Sequence, residues 1–426
     1  MPSIVTLSGE TFEPDLPNRL LSIAGEIREA GGRAFLVGGW VRDALLGKNC
    51  RDYDVEVYDL VQDELVPILK KYGRTNLVGK AFGVIHLAMK GLSLDFSFPR
   101  TESKVGYGHR GFVVHTDEKL SFKEAALRRD FTINAMGMEL PELTLCDPYG
   151  GIDDLKKGLL RHVGPAFVED SLRILRGVQF ASRFALKLAP ETIELCRTLS
   201  LEDLSIERLF EEFKKWLLKP GKPSLGLRAF LDIKLNEFFP EVSPLRGSWD
   251  DLGEMLDNTE SLRDNLSVDQ VMEFAFAAFL SGSPETSLKF LERITNETHL
   301  VKNVPLLLNA YSTLDFAIVS DAPALRRMAV KLGGLKLLCL LVKATPRKYY
   351  AAAGASEFPE QLWQAAADLD LLNAAPQPFL MGKMLMEMGF KPGKQMGETI
   401  KQSFELQLDG KITSAEDAIA WAKARI

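Results

Sequence analysis

The sequence predicts an α+β protein in which a small mixed head precedes a long helical region. Strand-like and helix-like runs alternate up to about Gly150, and from about Asp153 onward apolar residues recur at helical spacing. Glycine pairs interrupt the first part at Gly31–Gly32 and Gly38–Gly39, where helices and strands are expected to end. We therefore expect one sheet-containing unit followed by helices.

The elements of the head follow from apolar periodicity and its breaks. The predicted helices are Leu20–Ala30, Trp40–Leu46, Asp63–Tyr72 and Leu120–Asn134, and the predicted strands are Ala34–Val37, Asp52–Tyr58, Val84–Met89 and Leu92–Phe98. Lys90-Gly91, between the last two strands, is a hairpin signal. Residues 101–111 are rich in glycine and charge and predict a mobile loop.

Helical spacing continues through the second part of the chain. The clearest predicted helices there are Val168–Leu186, Ile193–Leu199, Glu207–Leu218 and Leu225–Leu235. The sequence contains no fixed-period repeat and no low-complexity tract. The pattern leaves the element boundaries between residues 240 and 370 open.

Composition and net charge indicate the size class of the protein and the kinds of partner that it can bind. A chain of 426 residues with 46% apolar content is long enough for two or more packed units. The net charge of −6 lacks the basic excess of proteins that bind long nucleic acids, so any nucleic-acid contact must come from local basic patches. Four cysteines without paired spacing indicate a reducing compartment and argue against a zinc site.

Export and membrane signals are not recognisable in the sequence. The N-terminus lacks a charged start followed by an apolar run. The longest apolar runs, such as Phe274–Leu280, are too short to span a bilayer. We expect a soluble cytoplasmic protein with no membrane contact.

Two aspartates stand one residue apart on the predicted strand Asp52–Tyr58. Side chains alternate across a strand, so Asp52 and Asp54 project from one face. Two carboxylates this close repel each other unless a cation lies between them, and magnesium prefers oxygen ligands and keeps waters for substrate phosphates. In two-metal phosphoryl transfer, one ion activates the attacking hydroxyl and the other binds the leaving pyrophosphate. The pair indicates a magnesium site, although taken alone it also fits a solvated strand face.

A diglycine lies between the preceding strand and helix. Gly38 and Gly39 let the backbone approach a phosphate, and the N-terminus of the next helix offers free N–H groups. Arg42, in the first turn, can add a forked contact to a triphosphate. The alternative is a plain tight turn with an exposed arginine. A phosphate cradle followed by a metal pair is the order that a nucleotidyltransferase needs.

Further polar groups stand in two later segments. Asp95, in an alternating strand, can help to take the proton from an RNA 3′-hydroxyl, or it can belong to a polar strand face. Arg128 and Arg129 can cover phosphates and pair with Asp130. Asn134 can hydrogen-bond a ribose. The alternative for this second segment is a surface salt-bridge cluster.

The predicted helix after residue 168 carries polar residues on one broad side. These residues are Asp170, Arg173, Arg176, Gln179 and Arg183. Asp170 and Arg173 are three residues apart and therefore neighbours on the helix. A carboxylate accepts from the amino group of cytosine or adenine, while arginine donates to ring acceptors, so the two side chains can read a base edge. The alternative is an ordinary amphipathic helix with surface ion pairs.

Together, these segments resemble the class II tRNA nucleotidyltransferase family, which includes bacterial CCA-adding enzymes and poly(A) polymerases. The resembling segments are FLVGGWVRDALLG (35–47), RDYDVEVYD (51–59), RTESKVGYGHRGF (100–112), RRDFTINAMG (128–137), DPYGGIDDLKKGLLRHVG (147–164) and EDSLRILRGVQFASRF (169–184). They occur in the family's order and spacing over roughly residues 30–190. A further stretch, residues 379–397, resembles the family's C-terminal tail motif.

The resemblance implies a fold and a domain organisation. The head, residues 17–152, would have a DNA polymerase β-like fold. An all-α neck with a nucleotide-selecting helix would follow at 153–225, a helical body at 226–370, and a tail that contacts tRNA at 371–426. The segment Arg100–Phe112 is similar to the family's flexible loop, which is thought to help the switch from C to A addition.

The resemblance also implies roles for particular residues. Asp52 and Asp54 would bind Mg²⁺. Triphosphate and ribose contacts would come from Gly39, Arg42 and Arg129. The incoming CTP or ATP would be selected by a protein-borne template made of Asp170 and Arg173, with Arg176 nearby.

The chain departs from the family at one position of the selecting helix. The family often carries another arginine after Arg176, and this chain has Gln179, whose neutral amide cannot neutralise a phosphate. Some members also carry an HD-type phosphohydrolase domain. The five histidines (86, 109, 115, 162 and 299) include no His-Asp dipeptide, so such a domain is not expected.

RNA contacts are expected along the helical part of the chain. Lys391 and Lys394 flank a Pro-Gly turn, and we take them as candidate tRNA contacts. Other basic candidates are Lys214–Lys215, Lys219–Lys222 and Arg347–Lys348. Tyr349 and Tyr350 can stack on bases or be buried in packing.

The sequence therefore predicts a template-independent nucleotidyltransferase that adds CCA to tRNA 3′ ends from CTP and ATP. An enzyme that adds only CC or only A remains an alternative, as does a poly(A) polymerase. The segment at 100–112 is complete, which favours full CCA or A addition over CC addition. A catalytically inactive RNA-binding protein is disfavoured because Asp52, Asp54 and Arg129 are retained. The oligomeric state stays open.

Overall fold

The structure is a computed structural model that describes residues 4–78, 83–104 and 112–425. Contacts divide the chain into two compact units. One comprises the chain up to Trp216 together with Leu225–Leu235, and the other comprises Leu217–Ser224 and Asn236–Ile426. The first unit holds the sheet and the second is built from helices, which confirms the predicted α+β class with a helical region after the head.

Strands are concentrated in the first unit. The strands of the described residues are β1 Ile4–Val5, β2 Thr11–Phe12, β3 Arg33–Val37, β4 Tyr53–Tyr58, β5 Arg74–Val78, β6 Val84–Met89, β7 Leu92–Ser97, β8 Arg100–Lys104, β9 Phe112–Thr116, β10 Gly137–Leu140, β11 Thr144–Cys146, β12 Leu159–Leu160 and β13 Lys187–Leu188. Seven of these described strands form one mixed sheet in the order β11-β10-β3-β4-β7-β6-β5. Strands β4 and β7 run parallel, and the other neighbours in this sheet are antiparallel.

Helices surround this sheet and make up the rest of the chain. Up to residue 238 they are α1 Asn18–Glu29, α2 Gly39–Leu45, α3 Gln62–Lys70, α4 Phe122–Ala126, α5 Gly151–Lys157, α6 Leu172–Phe184, α7 Pro190–Cys196, α8 Ile206–Leu218, α9 Pro223–Asp232 and α10 Leu235–Phe238. From residue 249 they are α11 Trp249–Ser261, α12 Val268–Phe279, α13 Ser287–Ile294, α14 Thr298–Ser312, α15 Ala322–Leu332, α16 Lys336–Ala344, α17 Lys348–Ala352, α18 Phe358–Asp368, α19 Gly382–Glu387, α20 Lys394–Leu408 and α21 Ala415–Lys423.

The two faces of the central strands have different chemistry because side chains alternate along a strand. On β4, Val55 and Val57 are buried on one face, while Asp54 and Glu56 point to the other. Helix α4 covers one end of the polar face. There the ring of Phe122 stacks on Phe35 with centroids 5.0 Å apart. The other end of this face, around Asp54, stays open.

The predicted helix Leu120–Asn134 is wrong over most of its length. Helix α4 begins at a capping box in which Ser121 and Glu124 satisfy each other's backbone N–H groups, and it ends at Ala126. Beyond it, the N–H of Thr132 donates to the carbonyl of Arg161, and the carbonyl of Asp130 accepts from Val163. These long-range bonds take the place of helical ones, which local periodicity does not reveal.

Three other predictions need correction. Residues 101–104, expected in a mobile loop, belong to strand β8, which pairs with β9. The rest of that predicted loop, 105–111, lies outside the described residues. The short strands β12 and β13 pair within the region predicted to be entirely helical. Strand β4 begins at Tyr53, so Asp52 directly precedes it.

The second unit has an apolar core of its own. Helix α12 begins at a capping box made by Ser267 and Gln270, and it buries Phe274, Phe276 and Phe279. No helix in the described part of the chain combines the length and the apolar character needed to cross a bilayer.

Candidate active site

Four polar residues lie side by side across four strands of the mixed sheet. Asp54 on β4 is the register partner of Asp95 on β7, and Asp95 is the partner of His86 on β6. His86 is in turn the partner of Asn76 on β5. Cross-strand partners share a face, so the sheet brings Asp54 and Asp95 together although they are distant in sequence. We call this set the polar row.

Asp54 and Asp95, two members of the polar row, border an open cleft. The cleft is lined by Asp15, Pro17, Arg51, Asp52, Tyr53, Asp54, Gly91, Leu92, Ser93 and Asp95. Within the described residues, the carboxylates of Asp52 and Asp54 have no hydrogen-bond or ion-pair partner. Partial desolvation raises the pKa of Asp54, and the nearby charges of Asp95 and Asp52 raise it further. The cleft therefore concentrates negative charge that a cation can compensate.

The donor set fits a divalent metal that retains other ligands. In the described ranges, no three Asp, Glu, His or Cys side chains are grouped closely enough to enclose an ion. Magnesium is usually held by one or two carboxylates together with waters and substrate phosphates, so an uncompensated pair is what it requires. Asp52 and Asp54 meet this requirement.

Asp95 differs from that pair because it already has a partner. Its Oδ1 lies 2.6 Å from Nδ1 of His86, and the other ring nitrogen, Nε2, lies 3.2 Å from Oγ of Ser93. Neither His86 nor Ser93 was predicted as a site residue. The alternation of the two hairpin strands carries a signal, since it places both on the face that holds Asp95.

The diglycine leaves room for two guanidinium groups. Gly38 lies between β3 and α2 and has φ +67°, a conformation that favours glycine. Helix α2 begins at the next residue, Gly39. A Cβ at Gly38 would lie 3.3 Å from Nη1 of Arg129, and a Cβ at Gly39 would lie 3.4 Å from Nη2 of Arg42. The missing side chains thus let both arginines pack directly against the backbone of the bend.

Arg42 is buried, and its guanidinium binds protein groups. Arg42 is only 3% exposed. Its guanidinium donates to Oδ1 of Asn134 at 2.5 Å and to Oδ1 of Asp43 at 2.9 Å. Desolvation lowers the pKa of Arg42, against the attraction of Asp43. The ring of Phe184 lies 4.0 Å from its guanidinium carbon. Arg42 and Gly39 are not among the residues that line the carboxylate cleft.

Arg128 and Arg129 bind a buried glutamate that was not predicted as a site residue. Glu56 is 1% exposed, and its carboxylate lies 2.9 Å from Nη2 of Arg128 and 3.4 Å from Nη2 of Arg129. The hydroxyl of Tyr58 donates to it at 2.7 Å. Burial opposes ionisation of Glu56, but the two arginines outweigh it and lower its pKa. The sequence contained a signal for Glu56, because this residue continues the alternation of acidic residues that begins with Asp52 and Asp54.

Asp130 pairs with a different arginine from those predicted. Arg128 and Arg129 were expected beside it, but its Oδ2 accepts from Nε of Arg176 at 2.7 Å. Its Oδ1 accepts from Nδ2 of Asn134 at 3.0 Å and from the backbone N–H of Phe131. Because Asn134 also binds Arg42, these bonds link α2 to α6 within the first unit.

Helix α6, which was predicted to select the nucleotide, buries Arg173 and Gln179 of its polar side, while Arg176 and Arg183 stay partly exposed. Arg173 is buried and donates to the carbonyls of Ala166 and Arg128. Gln179 is 2% exposed, and a neutral amide tolerates this burial better than an unpaired arginine would. Asp170 accepts from the N–H of Leu172 at the start of the helix. Its carboxylate also pairs with Arg208 at 2.9 Å, a contact that was not predicted.

The candidate RNA-binding lysines fall into two groups. Lys391 and Lys394 are exposed, and Lys394 makes only a loose 3.9 Å contact with Glu398. Four of the other candidates form ion pairs with carboxylates, in the pairs Lys214–Glu211, Lys215–Glu212, Arg347–Glu360 and Lys348–Asp251. The hydroxyl of Tyr350 donates to a backbone carbonyl in a buried position, which agrees with the packing alternative for that residue.

Comparison with known proteins finds similarity over part of the chain by sequence and over nearly all of it by fold. Residues 34–161 match the family described as the poly A polymerase head domain. The multifunctional CCA protein of Xanthomonas campestris pv. campestris (strain B100) is 40% identical over 223 residues, which cover 50% of this chain and 52% of that protein. The chain therefore spans about half the length of the curated relatives that it matches.

Solved structures extend the likeness to nearly the whole chain. The structure of a CCA-adding enzyme in apo form II superposes with a TM-score of 0.68 at 24% identity, covering 96% of this chain and 95% of that one. The Thermotoga maritima CCA-adding enzyme complexed with a tRNA ending in CCA superposes with a TM-score of 0.63, also at 24% identity, with the same coverage. At these identities the likeness shows a common fold.

Proposed function

We propose that the chain is a member of the tRNA nucleotidyltransferase and poly(A) polymerase family and that it adds the CCA sequence to tRNA 3′ ends. The substrates would be tRNA, CTP and ATP, with release of pyrophosphate. The observation that carries the proposal is that Asp52 and Asp54, whose carboxylates have no partner among the described residues, face a cleft beside Asp95. The name of the Xanthomonas relative favours CCA addition over a partial or poly(A) activity.

The proposed reaction is a direct nucleotidyl transfer. The tRNA 3′-hydroxyl oxygen bonds to the α-phosphorus of the nucleotide, the bond from that phosphorus to the pyrophosphate oxygen breaks, and the hydroxyl proton passes to the Asp95 carboxylate. Asp52 and Asp54 would hold Mg²⁺, which supplies positive charge for the triphosphate and the attacking oxygen. The family relationship and the donor set support a divalent metal, and its identity as magnesium is part of the proposal.

Arg129 is the basic residue best placed to receive a triphosphate. It packs against Gly38 and shares Glu56 with Arg128, which fixes the position of its guanidinium. Its Nε is buried and has no hydrogen-bond acceptor among the described residues. Gly38 and Gly39 would let phosphates approach the backbone.

A hydrogen-bonded network that includes Arg42 would support the bound nucleotide. Arg42, Asn134, Asp130 and Arg176 are joined by hydrogen bonds, and we propose that they hold the ribose and triphosphate region. Gln179, further along α6, would contribute a neutral lining in place of a charge.

Base selection would rest on Asp170 and Arg173. Both side chains are held by neighbours, Asp170 by Arg208 and Arg173 by two carbonyls. Such anchoring suits groups that must keep their geometry while reading a base edge.

The tRNA would lie along the helices that follow the head. We propose a head at 17–152, a neck at 153–225, a body at 226–370 and a tail at 371–426, with Lys391 and Lys394 contacting the tRNA backbone. A tRNA complex is known for the structurally similar Thermotoga enzyme. These substrates are cytoplasmic, and we propose that location for the enzyme.

An incorporation assay tests the proposal. Synthetic tRNAs ending at the discriminator base, at C and at CC are each incubated with Mg²⁺ and with CTP, ATP or both, and product lengths are read on a gel. We expect completion to CCA on all three with both nucleotides. Products that stop at CC, a single A only on the CC substrate, or long A tails would each replace CCA addition by the matching partial or poly(A) activity.

A matched pair of variants tests the metal assignment. Asp52→Asn with Asp54→Asn is expected to abolish transfer while leaving the unfolding midpoint close to that of the wild type. Asp63→Asn, an exposed carboxylate in the first turn of α3, serves as control and should retain activity. Transfer by the double variant would overturn the assignment.

A further inference from the structure

The hairpin of β6 and β7 contains a three-residue arrangement that the proposed reaction does not yet use. Nδ1 of His86 lies 2.6 Å from Oδ1 of Asp95, and Oγ of Ser93 lies 3.2 Å from Nε2 of His86. Both ring nitrogens are thus engaged, one by a cleft carboxylate and one by a hydroxyl. A histidine that merely filled space would not need partners at both nitrogens.

The sheet register makes this arrangement specific to Asp95. His86 and Asp95 are direct partners in the antiparallel pair, and Asp95 is the direct partner of Asp54 in the parallel pair. Ser93 precedes Asp95 by two positions and therefore lies on the same face. The imidazole consequently approaches Asp95 from the side opposite to Asp54, and it does not line the cleft.

The chemistry of the partners assigns the ring proton. An ionised carboxylate only accepts hydrogen bonds, so Nδ1 must carry a proton and donate it to Asp95. In the neutral ring, Nε2 then accepts from the Ser93 hydroxyl. The bond to Nδ1 takes up one lone pair of Oδ1 and restricts rotation of the carboxylate, which leaves Oδ2 for another partner.

We propose that His86 is a positioning residue for Asp95, fixing the carboxylate so that its second oxygen is presented to the tRNA 3′-hydroxyl. This inference rests on the proposed function and extends it to a residue outside the cleft. Ser93 acts one step further away by holding the ring through Nε2. The arrangement corresponds to the general rule that a catalytic group is held in place by a partner behind it.

Asparagine and glutamine separate positioning from a structural role. In His86→Asn the side-chain amide nitrogen takes the place of Nδ1, whereas in His86→Gln it reaches towards the place of Nε2. We expect His86→Ala to lower kcat about tenfold with little change in the KM for CTP or ATP. Asn should restore most of the loss and Gln should not. Lys90→Ala, exposed at the turn of the same hairpin, should behave as the wild type.

The outcomes of this assay are distinct. Full kcat in His86→Ala, or equal rescue by Asn and Gln, overturns the positioning role while leaving the proposed function intact. Absence of transfer by the wild type overturns both. If His86→Ala unfolds, as judged by its thermal midpoint, the comparison of Asn with Gln still decides the question.

The contact itself is testable without any activity. In protein labelled with ¹⁵N at histidine, one imidazole is expected to be held as the Nδ1–H tautomer. Asp95→Ala removes the acceptor and should shift that imidazole towards the Nε2–H tautomer, while Lys90→Ala should not. Unchanged imidazole ¹⁵N shifts in Asp95→Ala would overturn the assignment of this bond.

Discussion

Arg176 and Asp130 form an ion pair that ties helix α6 to the segment after α4, with Nε and Nη2 of the arginine 2.7 and 2.6 Å from Oδ2 of the aspartate. Asp130 is only 8% exposed, and its other oxygen accepts from Asn134. Since Asn134 also binds Arg42, the pair is the end of a continuous polar chain that reaches the diglycine. Its loss is therefore expected to affect both stability and nucleotide binding.

Breaking this pair from the aspartate side should be costly. Asp130→Asn keeps the shape but leaves Arg176 without its counter-charge. We expect the free energy of unfolding to fall by about 3 kcal/mol, the low end for buried pairs because Arg176 keeps some solvent contact. Urea unfolding of Asp130→Asn, Arg176→Met and the double variant measures this. If the double variant loses as much unfolding free energy as the two single variants together, the two side chains are not directly coupled.

The pH dependence of stability should report the same carboxylate. Burial opposes ionisation of Asp130, but the charge of Arg176 and the bonds from Asn134 and Phe131 outweigh it and lower its pKa. A lowered folded-state pKa contributes stability above the unfolded value of about 3.9, and this contribution is lost as the pH falls through the folded value. The stability gap between wild type and Asp130→Asn should thus be full at pH 6 and shrink below about pH 4.

Unfolding in urea at a series of pH values checks this expectation. The control is Asp63→Asn, an exposed carboxylate, for which the gap should be small at every pH. A gap for Asp130→Asn that grows on acidification would show that the carboxylate is destabilised, not stabilised, in the folded protein.

Gly38→Ala should impair catalysis more than stability. The substitution imposes φ +67° on a residue with a side chain, a strain of about 1–3 kcal/mol. It also places a Cβ 3.3 Å from Nη1 of Arg129, which must move. We expect a higher KM for the nucleotide, measured by incorporation kinetics. Gly31→Ala carries a positive φ without any neighbour within 4 Å, so it should lower stability alone. Equal KM values in the two variants would refute a role for Arg129 at the bend.

Glu56→Gln should release both arginines behind the cleft. The carboxylate is buried and is shared by Arg128 and Arg129, so its neutralisation leaves two guanidinium groups with weaker partners. We expect a loss of about 3 kcal/mol in unfolding free energy and a raised KM for CTP and ATP. Tyr58→Phe removes only the hydroxyl that donates to Glu56, at a cost of about 1 kcal/mol. If Tyr58→Phe raises KM as much as Glu56→Gln, the hydroxyl and not the charge positions the arginines.

Local patterns predicted the framework of the site well. The hairpin of β6 and β7 was expected from two alternating runs around Lys90-Gly91, and the structure confirms it. The alternation of the two strands and the Lys90-Gly91 turn both depend on neighbours within a few residues. The helix expected at Leu120–Asn134 failed for the complementary reason, since backbone bonds to residues 161–163 override its local periodicity.

These local patterns did not predict which carboxylate each arginine would pair with. The sequence indicated that Arg128 and Arg129 could cover phosphates and that Arg176 lay near the nucleotide-selecting pair, but it could not say which carboxylate each arginine would meet. The structure gives the first two to Glu56 and the third to Asp130, across separations of 72, 73 and 46 residues. No short-range periodicity encodes such pairs.

The sequence by itself determined that Asp52 and Asp54 stand one residue apart at the start of a strand that follows a diglycine bend, because side-chain alternation and glycine's backbone freedom act within a few residues. The tertiary structure alone decided that Asp95 and His86 stand beside them and that the arginines are held by Glu56 and Asp130. Strand order and register set the contact between Asp95 and His86. Burial favours the pairing of the arginines with Glu56 and Asp130, since an unpaired charge in the interior costs several kcal/mol.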